Sequence, residues 1–333
     1  MTLGSSDRPL SRAYDLAMLD LDGVVYVGPD AVPGAVESLG AARASGTQLA
    51  YITNNASRTA AEVASHLREL GLSDAEDGDV VTSAQAVAHL VADALPAGSP
   101  VLLVGGEGLR QPLEERGLRC VATLDDGPLA VVQGFHPDVS WVQLAEASYA
   151  IEAGIPWFAS NTDLTIPTAR GVAPGNGSLV QAISNATGTK PTVAGKPEAA
   201  LFRETLERFG GERPLMVGDR LDTDIDGAIG ADIDTLFVLT GVNGLQDVID
   251  AGVGHRPTYI SYDLGGLNEA HAPIQIEGST ARCDGASAQV SDGVLTIEAA
   301  DRSTSGFRAA VGLAWHLADH SGQHVRLDGT MKP

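Results

Sequence analysis

The residues best suited to chemistry are two aspartates, Asp20 and Asp22, in the run Ala17-Met18-Leu19-Asp20-Leu21-Asp22-Gly23. The run reads as an apolar strand that turns off a sheet at Gly23. Side chains two apart on a strand point the same way, so both carboxylates converge at that turn. Like charges so close do not both ionise without a cation or a shared proton. The pair therefore requires a divalent metal, an acid–base role, or both.

Three later segments have the same strand-end character. Gln48 to Ile52 reads as a buried strand ending in Thr53-Asn54-Asn55. After it, Thr59 and Glu62 have the spacing of a capping box that opens a helix. Hydroxyl and amide groups between a strand end and a helix N-terminus can hold phosphate. Gly195-Lys196-Pro197-Glu198 follows, with one of only three lysines (Lys190, Lys196, Lys332) and residues that suit a first helical turn. Last, Leu215-Met216-Val217 ends in the acidic loop Gly218-Asp219-Arg220-Leu221-Asp222-Thr223-Asp224. Its oxygen ligands suit a hard cation.

The elements that must position these groups alternate strand and helix, the sign of a parallel α/β sheet. Strands are expected at 16–21, 48–53 and 79–82, with helices at 34–45 and 59–70. A second βα series follows: strands at 99–104, 118–122, 129–133 and 156–159, helices at 107–116 and 140–153, and 175–187 reads as a helix re-entering the core. Strands at 192–194, 215–217, 235–239 and 258–260 are expected to close the core. The motifs at Thr53 and Lys196 are separated by more than a hundred residues, a gap best filled by an inserted α/β domain.

The strings LDLDGVVY, ITNNAS, AGKPE and VGDRLDTDI, in this order, resemble the haloacid-dehalogenase-like phosphatases, and within them the p-nitrophenylphosphatase and NagD-like branch. The resemblance covers roughly residues 14 to 262. It implies a Rossmann-like parallel-sheet core in two parts, 1–83 and 186–264, split by a C2-type cap at 84–185. It implies that Asp20 is the nucleophile and forms an aspartyl-phosphate, while Asp22 is general acid and then base. Mg2+ would be held by Asp20, the carbonyl of Asp22 and Asp219, with Asp224 as a second acidic partner and Asp222 outside the set. Thr53 and Asn54 would bind the phosphoryl oxygens, and Lys196 would offset charge. His136, Asn161, Asp163 and Arg170 are the candidates for choosing the substrate, a small phosphate ester. Glycerol 3-phosphate comes first and phosphoglycolate second; nucleotides, sugar phosphates and pyridoxal phosphate are the alternatives. A non-catalytic phospho-ligand sensor is the alternative of another class, although every catalytic position is filled.

Composition agrees with a globular enzyme: 44% apolar and 19% charged residues over 333 positions, enough for two cores. A net charge of -22 argues against nucleic acid and anionic membrane as partners. A phosphorylated substrate would then need local help from a metal, Lys196 and backbone dipoles. The two cysteines, Cys120 and Cys283, form one bridge at most and read as reduced thiols of a cytoplasmic protein. Met1 to Ser11 lacks an apolar segment, and no run is long enough to span a membrane. A homodimer is compatible with all of this.

The stretch 265–333 lies outside the resemblance. It is expected as a small β-hairpin and helix module, with strands at 271–277, 287–290, 294–298 and 324–327, a turn at Ser291-Asp292-Gly293 and a helix at 304–318. A truncated acetyltransferase-like module without catalytic groups is the expectation. The motifs end at Asp224, so a chain cut near 268, if soluble, is expected to keep Mg2+ binding and activity, with its stability or oligomeric state open to change.

Overall fold

The structure is a computed structural model that describes residues 2–168, 170–300 and 303–328. The chain divides into two compact units, one of Met1–Leu49 with Phe209–Pro333 and one of Ala50–Arg208.

In the first unit the strands Leu16–Leu19, Pro214–Gly218, Asp234–Val238 and Tyr259–Ser261 lie side by side, all parallel, in that order. Their residues are almost all buried. Parallel strands covered on both faces have no solvent side to mark with polar residues, so they read as continuous apolar runs. The first strand ends at Leu19, two residues short of expectation. The ladder continues one bond further, with the Asp20 N–H donating to the Val217 carbonyl at 2.9 Å.

The tail belongs to this unit and shares its core. A mostly antiparallel sheet runs Gln275–Glu277, Thr280–Cys283, Ala286–Ser291, Val294–Glu298 and Arg326–Leu327, the last pair parallel. The strand Thr280–Cys283 was not expected. Asp292 and Gly293 both have positive φ, the backbone of the tight hairpin turn that Asp-Gly favours. Asp284 and Gly285 repeat it one hairpin earlier. The helix Thr304–Ser321 packs on this sheet. Its Phe307, Val311, Leu313, Ala314 and Trp315 form one apolar cluster with Phe237, Leu239, Leu245, Val248, Ile249 and Ile260.

Polar bonds seal the same junction. The Trp315 indole donates to the Val248 carbonyl at 2.9 Å. Arg256, only 3% exposed, holds Asp319 through two bonds of 2.7 and 2.8 Å and lies over the Trp315 ring. Arg308, 1% exposed, donates to the carbonyls of Gly4 and Ala272 and faces Nδ1 of His271. His271 Nε2 bonds the Gly266 carbonyl, which makes Nε2 the protonated nitrogen and Nδ1 the acceptor.

The second unit contains the rest of the strand Gln48–Thr53, whose Tyr51–Thr53 pairs in parallel with Val80–Thr82. It also holds a five-stranded parallel sheet. Its order is Thr192–Val193, Trp157–Ala159, Ala130–Gln133, Pro100–Val104, Arg119–Val121. Thr192–Val193 was expected among the core strands; it pairs instead with Trp157–Ala159. Two residues of regular pairing carry no periodicity from which to read a partner. The helices Trp141–Glu152 and Asn176–Thr187 supply Ala147, Ala150, Ile151, Val180 and Ile183 to this sheet's core. An antiparallel hairpin, Thr165–Thr168 with Gly171–Pro174, and the helix Ser83–Ala94 were not anticipated, whereas the helix expected after Lys196 runs Ala199–Phe209.

The shared core bears on whether a shortened chain stays soluble, the condition on which its expected activity rests. Cutting near 268 would uncover Phe237, Ile260 and Val248 and leave the buried Arg256 without Asp319. The truncated chain is expected to be aggregated or protease-sensitive. The graded version is Trp315→Ala, which should cost about 3–5 kcal/mol in urea melts. A loss below about 1 kcal/mol would mean the tail does not complete this core.

Burial pushes the His271 imidazole down to about 4, with the Arg308 charge acting the same way and the Gly266 bond opposing. Unfolded, the ring takes its proton near pH 6.5. Between these values the unfolded chain holds the extra proton, so stability is complete above pH 6.5 and falls as pH drops towards 4, by about 3 kcal/mol. In His271→Gln the difference in urea-melt stability between pH 7 and pH 4.5 should shrink; an unchanged difference would show that His271 is not its source.

Candidate active site

The site in the first unit is built at the C-terminal ends of parallel strands, where ligands of open α/β sheets bind. Asp20 follows Leu16–Leu19, and Asp219 follows Pro214–Gly218. Asp224 lies one helical turn beyond, in the π-helical turn Leu221–Ile225. Such turns are frequent at functional sites because they re-aim one side chain. Asp20, Asp219 and Asp224 are 8%, 0% and 1% exposed. Each brings a carboxylate oxygen within 4.8 Å of the other two.

Backbone donors fix two of the three. The N–H groups of Asp219 and Arg220 donate to Asp224 Oδ2 at 3.2 and 3.1 Å. The Val242 N–H donates to Asp219 Oδ2 at 2.6 Å. Three buried carboxylates this close suit a hard divalent cation on oxygen ligands, and without one their charges oppose each other. Asp22 is not one of this group of three. Its side chain is exposed at the turn, where Asp22 bridges to Tyr26. Asp222 is also outside: Arg220 grips it with bonds of 3.0 and 2.8 Å, which holds its carboxyl below the usual range.

One group of residues escaped the sequence reading. Thr240-Gly241-Val242-Asn243 follows the strand Asp234–Val238 and wraps Asp219. The Thr240 hydroxyl donates to the Gly23 carbonyl at 2.6 Å, and Asn243 Oδ1 accepts the Leu221 N–H at 2.9 Å. A Cβ on Gly23 would fall 2.7 Å from Asp219 Oδ2, and one on Gly241 would collide with the same carboxylate. The available signal was positional, a Thr-Gly pair just past a strand's C-terminal end.

In the second unit, Thr53 ends its strand, 3% exposed, and its Oγ1 accepts the Asn55 N–H. Thr59 and Glu62 form the expected capping box. Lys196 is 3% exposed, and the helix after it starts at Ala199. Asn54 Nδ2 bonds both carboxylate oxygens of Asp163 at 3.2 Å and the Lys196 carbonyl at 3.0 Å. An amide nitrogen has two protons, so this leaves no side-chain N–H of Asn54 for phosphate. Asn161, 4% exposed, donates to the Asn54 carbonyl.

His136 stands in the loop after Ala130–Gln133. Its Nδ1 accepts the Asp138 N–H, and its ring lies against Gly106, where a Cβ would collide. Arg170 sits exposed on the turn of the hairpin, its N–H bonded to Thr168 Oγ1.

Residues 17–119 match the family described as haloacid dehalogenase-like hydrolase, and residues 193–267 one described as HAD-hydrolase-like. The chain is 48% identical over 262 residues, 79% of its length and 73% of the other's, to the D-glycerol 3-phosphate phosphatase of Mycobacterium tuberculosis. The chain belongs to the haloacid dehalogenase-like hydrolases. The hydrolase also resembles the crystal structure of a glycerol phosphate phosphatase from Mycobacterium tuberculosis in complex with magnesium. That match has 42% identity and a TM-score of 0.83 over 98% of this chain and 96% of that one. It therefore runs through the tail, beyond the reach of the sequence motifs. A 4-nitrophenylphosphatase structure from Thermotoga maritima covers 78% of the hydrolase and 98% of itself, with 30% identity and a TM-score of 0.72. Among the described residues of the hydrolase, no helix is long and apolar enough to cross a membrane.

If the three carboxylates hold a cation, Mg2+ should raise the hydrolase's melting temperature. Excess metal at a hundredfold over its dissociation constant contributes about 2.7 kcal/mol. Asp219→Asn should lose that rise in scanning calorimetry. A rise of the same size in the variant would place the cation elsewhere.

Proposed function

We propose that the protein is a Mg2+-dependent phosphomonoesterase of the cytoplasm that acts on a small phosphorylated metabolite, with glycerol 3-phosphate first. The convergence of Asp20, Asp219 and Asp224 within 4.8 Å at strand ends carries this reading. The relative named for glycerol 3-phosphate, matched over four-fifths of this chain, supports the substrate.

Asp20 attacks phosphorus along a line opposite the leaving oxygen, and the phosphoryl group passes to its carboxylate. Asp22, exposed at the turn, gives a proton to the leaving alkoxide and then takes one from the water that frees the phosphate. Asp20, the Asp22 carbonyl and Asp219, with Asp224 as a second acidic partner, would hold Mg2+, which when bound would supply neutralising charge for the phosphoryl oxygens. Thr53 and Lys196 are the proposed phosphate-binding side chains of the second unit. His136 and Arg170 are the remaining candidates for reading the alcohol portion. In this scheme the five-stranded sheet belongs to the inserted cap, the proposed 84–185 extended past Val193. The tail from 265 is non-catalytic and completes the first unit's core.

A phosphate-release assay over glycerol 3-phosphate, phosphoglycolate, nucleotides, sugar phosphates and pyridoxal phosphate should give the highest kcat/KM for glycerol 3-phosphate. Asp20→Asn should abolish turnover. Asp22→Asn should lose roughly 10²–10⁴-fold on an alkyl phosphate and much less on p-nitrophenyl phosphate, whose leaving group needs little protonation. Equal losses on both would remove the general-acid role.

A further inference from the structure

Three segments of the second unit meet at Asn54 through side-chain amides. Asn176, 1% exposed at the start of the helix Asn176–Thr187, donates to the Asn161 carbonyl at 2.7 Å. Asn161 donates to the Asn54 carbonyl at 2.6 Å, and its Oδ1 accepts the Asp163 N–H at 3.2 Å. The Ser83 hydroxyl donates to the same Asn54 carbonyl at 2.6 Å. Asn54 then spends both amide protons on Asp163 and on the Lys196 carbonyl. The segments approach as closely as backbone allows. The Gly195 N–H donates to the Ser160 carbonyl at 2.7 Å, and a Cβ on Gly195 would fall 2.5 Å from that oxygen and 2.6 Å from Asn54 Oδ1.

We propose that Asp163, with Asn161 and Asn176 behind it, is a positioning residue that sets Lys196 through the Asn54 amide. Resting on the phosphatase reading above, this assigns Asp163 to holding the phosphate-binding lysine instead of to choosing the substrate. The geometry favours holding over substrate contact. Both carboxylate oxygens of Asp163 face Asn54 Nδ2 at equal distance. A charged acceptor makes a stronger and shorter-ranged anchor than a neutral one. That anchor fixes the plane of the Asn54 amide, and the second amide proton then fixes the Lys196 carbonyl. Neutral amides transmit this order through directional hydrogen bonds. A displacement of about 1 Å at such a group costs on the order of a hundredfold in rate.

The test compares Asp163→Ala, Asp163→Asn and Asp163→Glu in the full chain. The readouts are kcat and KM for p-nitrophenyl phosphate and glycerol 3-phosphate, calorimetric affinity for inorganic phosphate, and the Mg2+-induced melting rise. Asp163→Ala should lower kcat roughly ten- to a hundredfold by the same factor on both substrates. It should also weaken phosphate binding while the Mg2+ rise stays, because the carboxylates belong to the first unit. Asp163→Asn, which keeps an acceptor for Asn54, should recover most of both. If the alanine variant does not fold, Asp163→Glu keeps the charge, moves the acceptor and should show the same equal loss.

A change confined to KM for one substrate would make Asp163 a specificity residue and overturn the proposal. Wild-type kcat in Asp163→Ala would overturn it too. A wild-type protein that binds inorganic phosphate but hydrolyses no ester would overturn the phosphatase reading instead; the positioning role would then stand or fall on phosphate affinity in the three variants.

Discussion

The mutual repulsion of three buried carboxylates is the constraint on which the first unit depends. Asp20, Asp219 and Asp224 lie closer together than like charges tolerate in a low-dielectric interior. They stay there because the structure around them is stiff. Parallel strands place two of them at adjacent ends, a π-helical turn swings the third inward, and backbone N–H groups clamp their oxygens. Even the absent side chains of Gly23 and Gly241 serve this, since any Cβ there would occupy the space of Asp219. A site that binds its cation at little conformational cost is one whose ligands are already held in place.

Stiffness at that point draws on the far side of the sheet. The strand Asp234–Val238 leads directly into the Thr240–Asn243 loop around Asp219, and its Phe237 is covered by the tail. The helix Leu245–Ile249 that follows is tied to the tail by the Trp315 indole and by Gln246, which bonds both Val325 and Leu327. Among the described residues the tail contributes no carboxylate to this cluster, yet the loop that grips Asp219 is anchored on it. A small segment that cannot bury a core alone has here become one wall of a larger one.

The second unit meets a comparable demand with a series of amides that ends on one carboxylate. Lys196 is almost wholly buried, and burial of an ammonium is costly unless its surroundings are ordered. Asn176, Asn161, Asn54 and Asp163 provide that order as directional hydrogen bonds in series. Each takes the protons or lone pairs of the next, so a change at one end is felt at the other.

The strand-end carboxylates, the capping box at Thr59 and Glu62, and the apolar runs of the parallel strands were legible in the sequence. Each is a local pattern: alternation, a fixed spacing, or a charge after an apolar run. Two Asp-Gly turns in the tail have the same local character, though only the one at Asp292 was read. Other features depended on chain segments that meet only in space. Nothing near Thr192 announces that it pairs with Trp157–Ala159. Nothing near Asn54 shows that its amide is used up by residues 109 and 142 positions away. The tail's hydrophobic face is visible in its helix, but not the fact that Phe237 and Ile260 cover it. Sequence alone determined which groups exist and which strand end carries each. Tertiary structure decided which of them touch, because contact depends on how distant segments pack, and packing leaves no periodic mark in the chain.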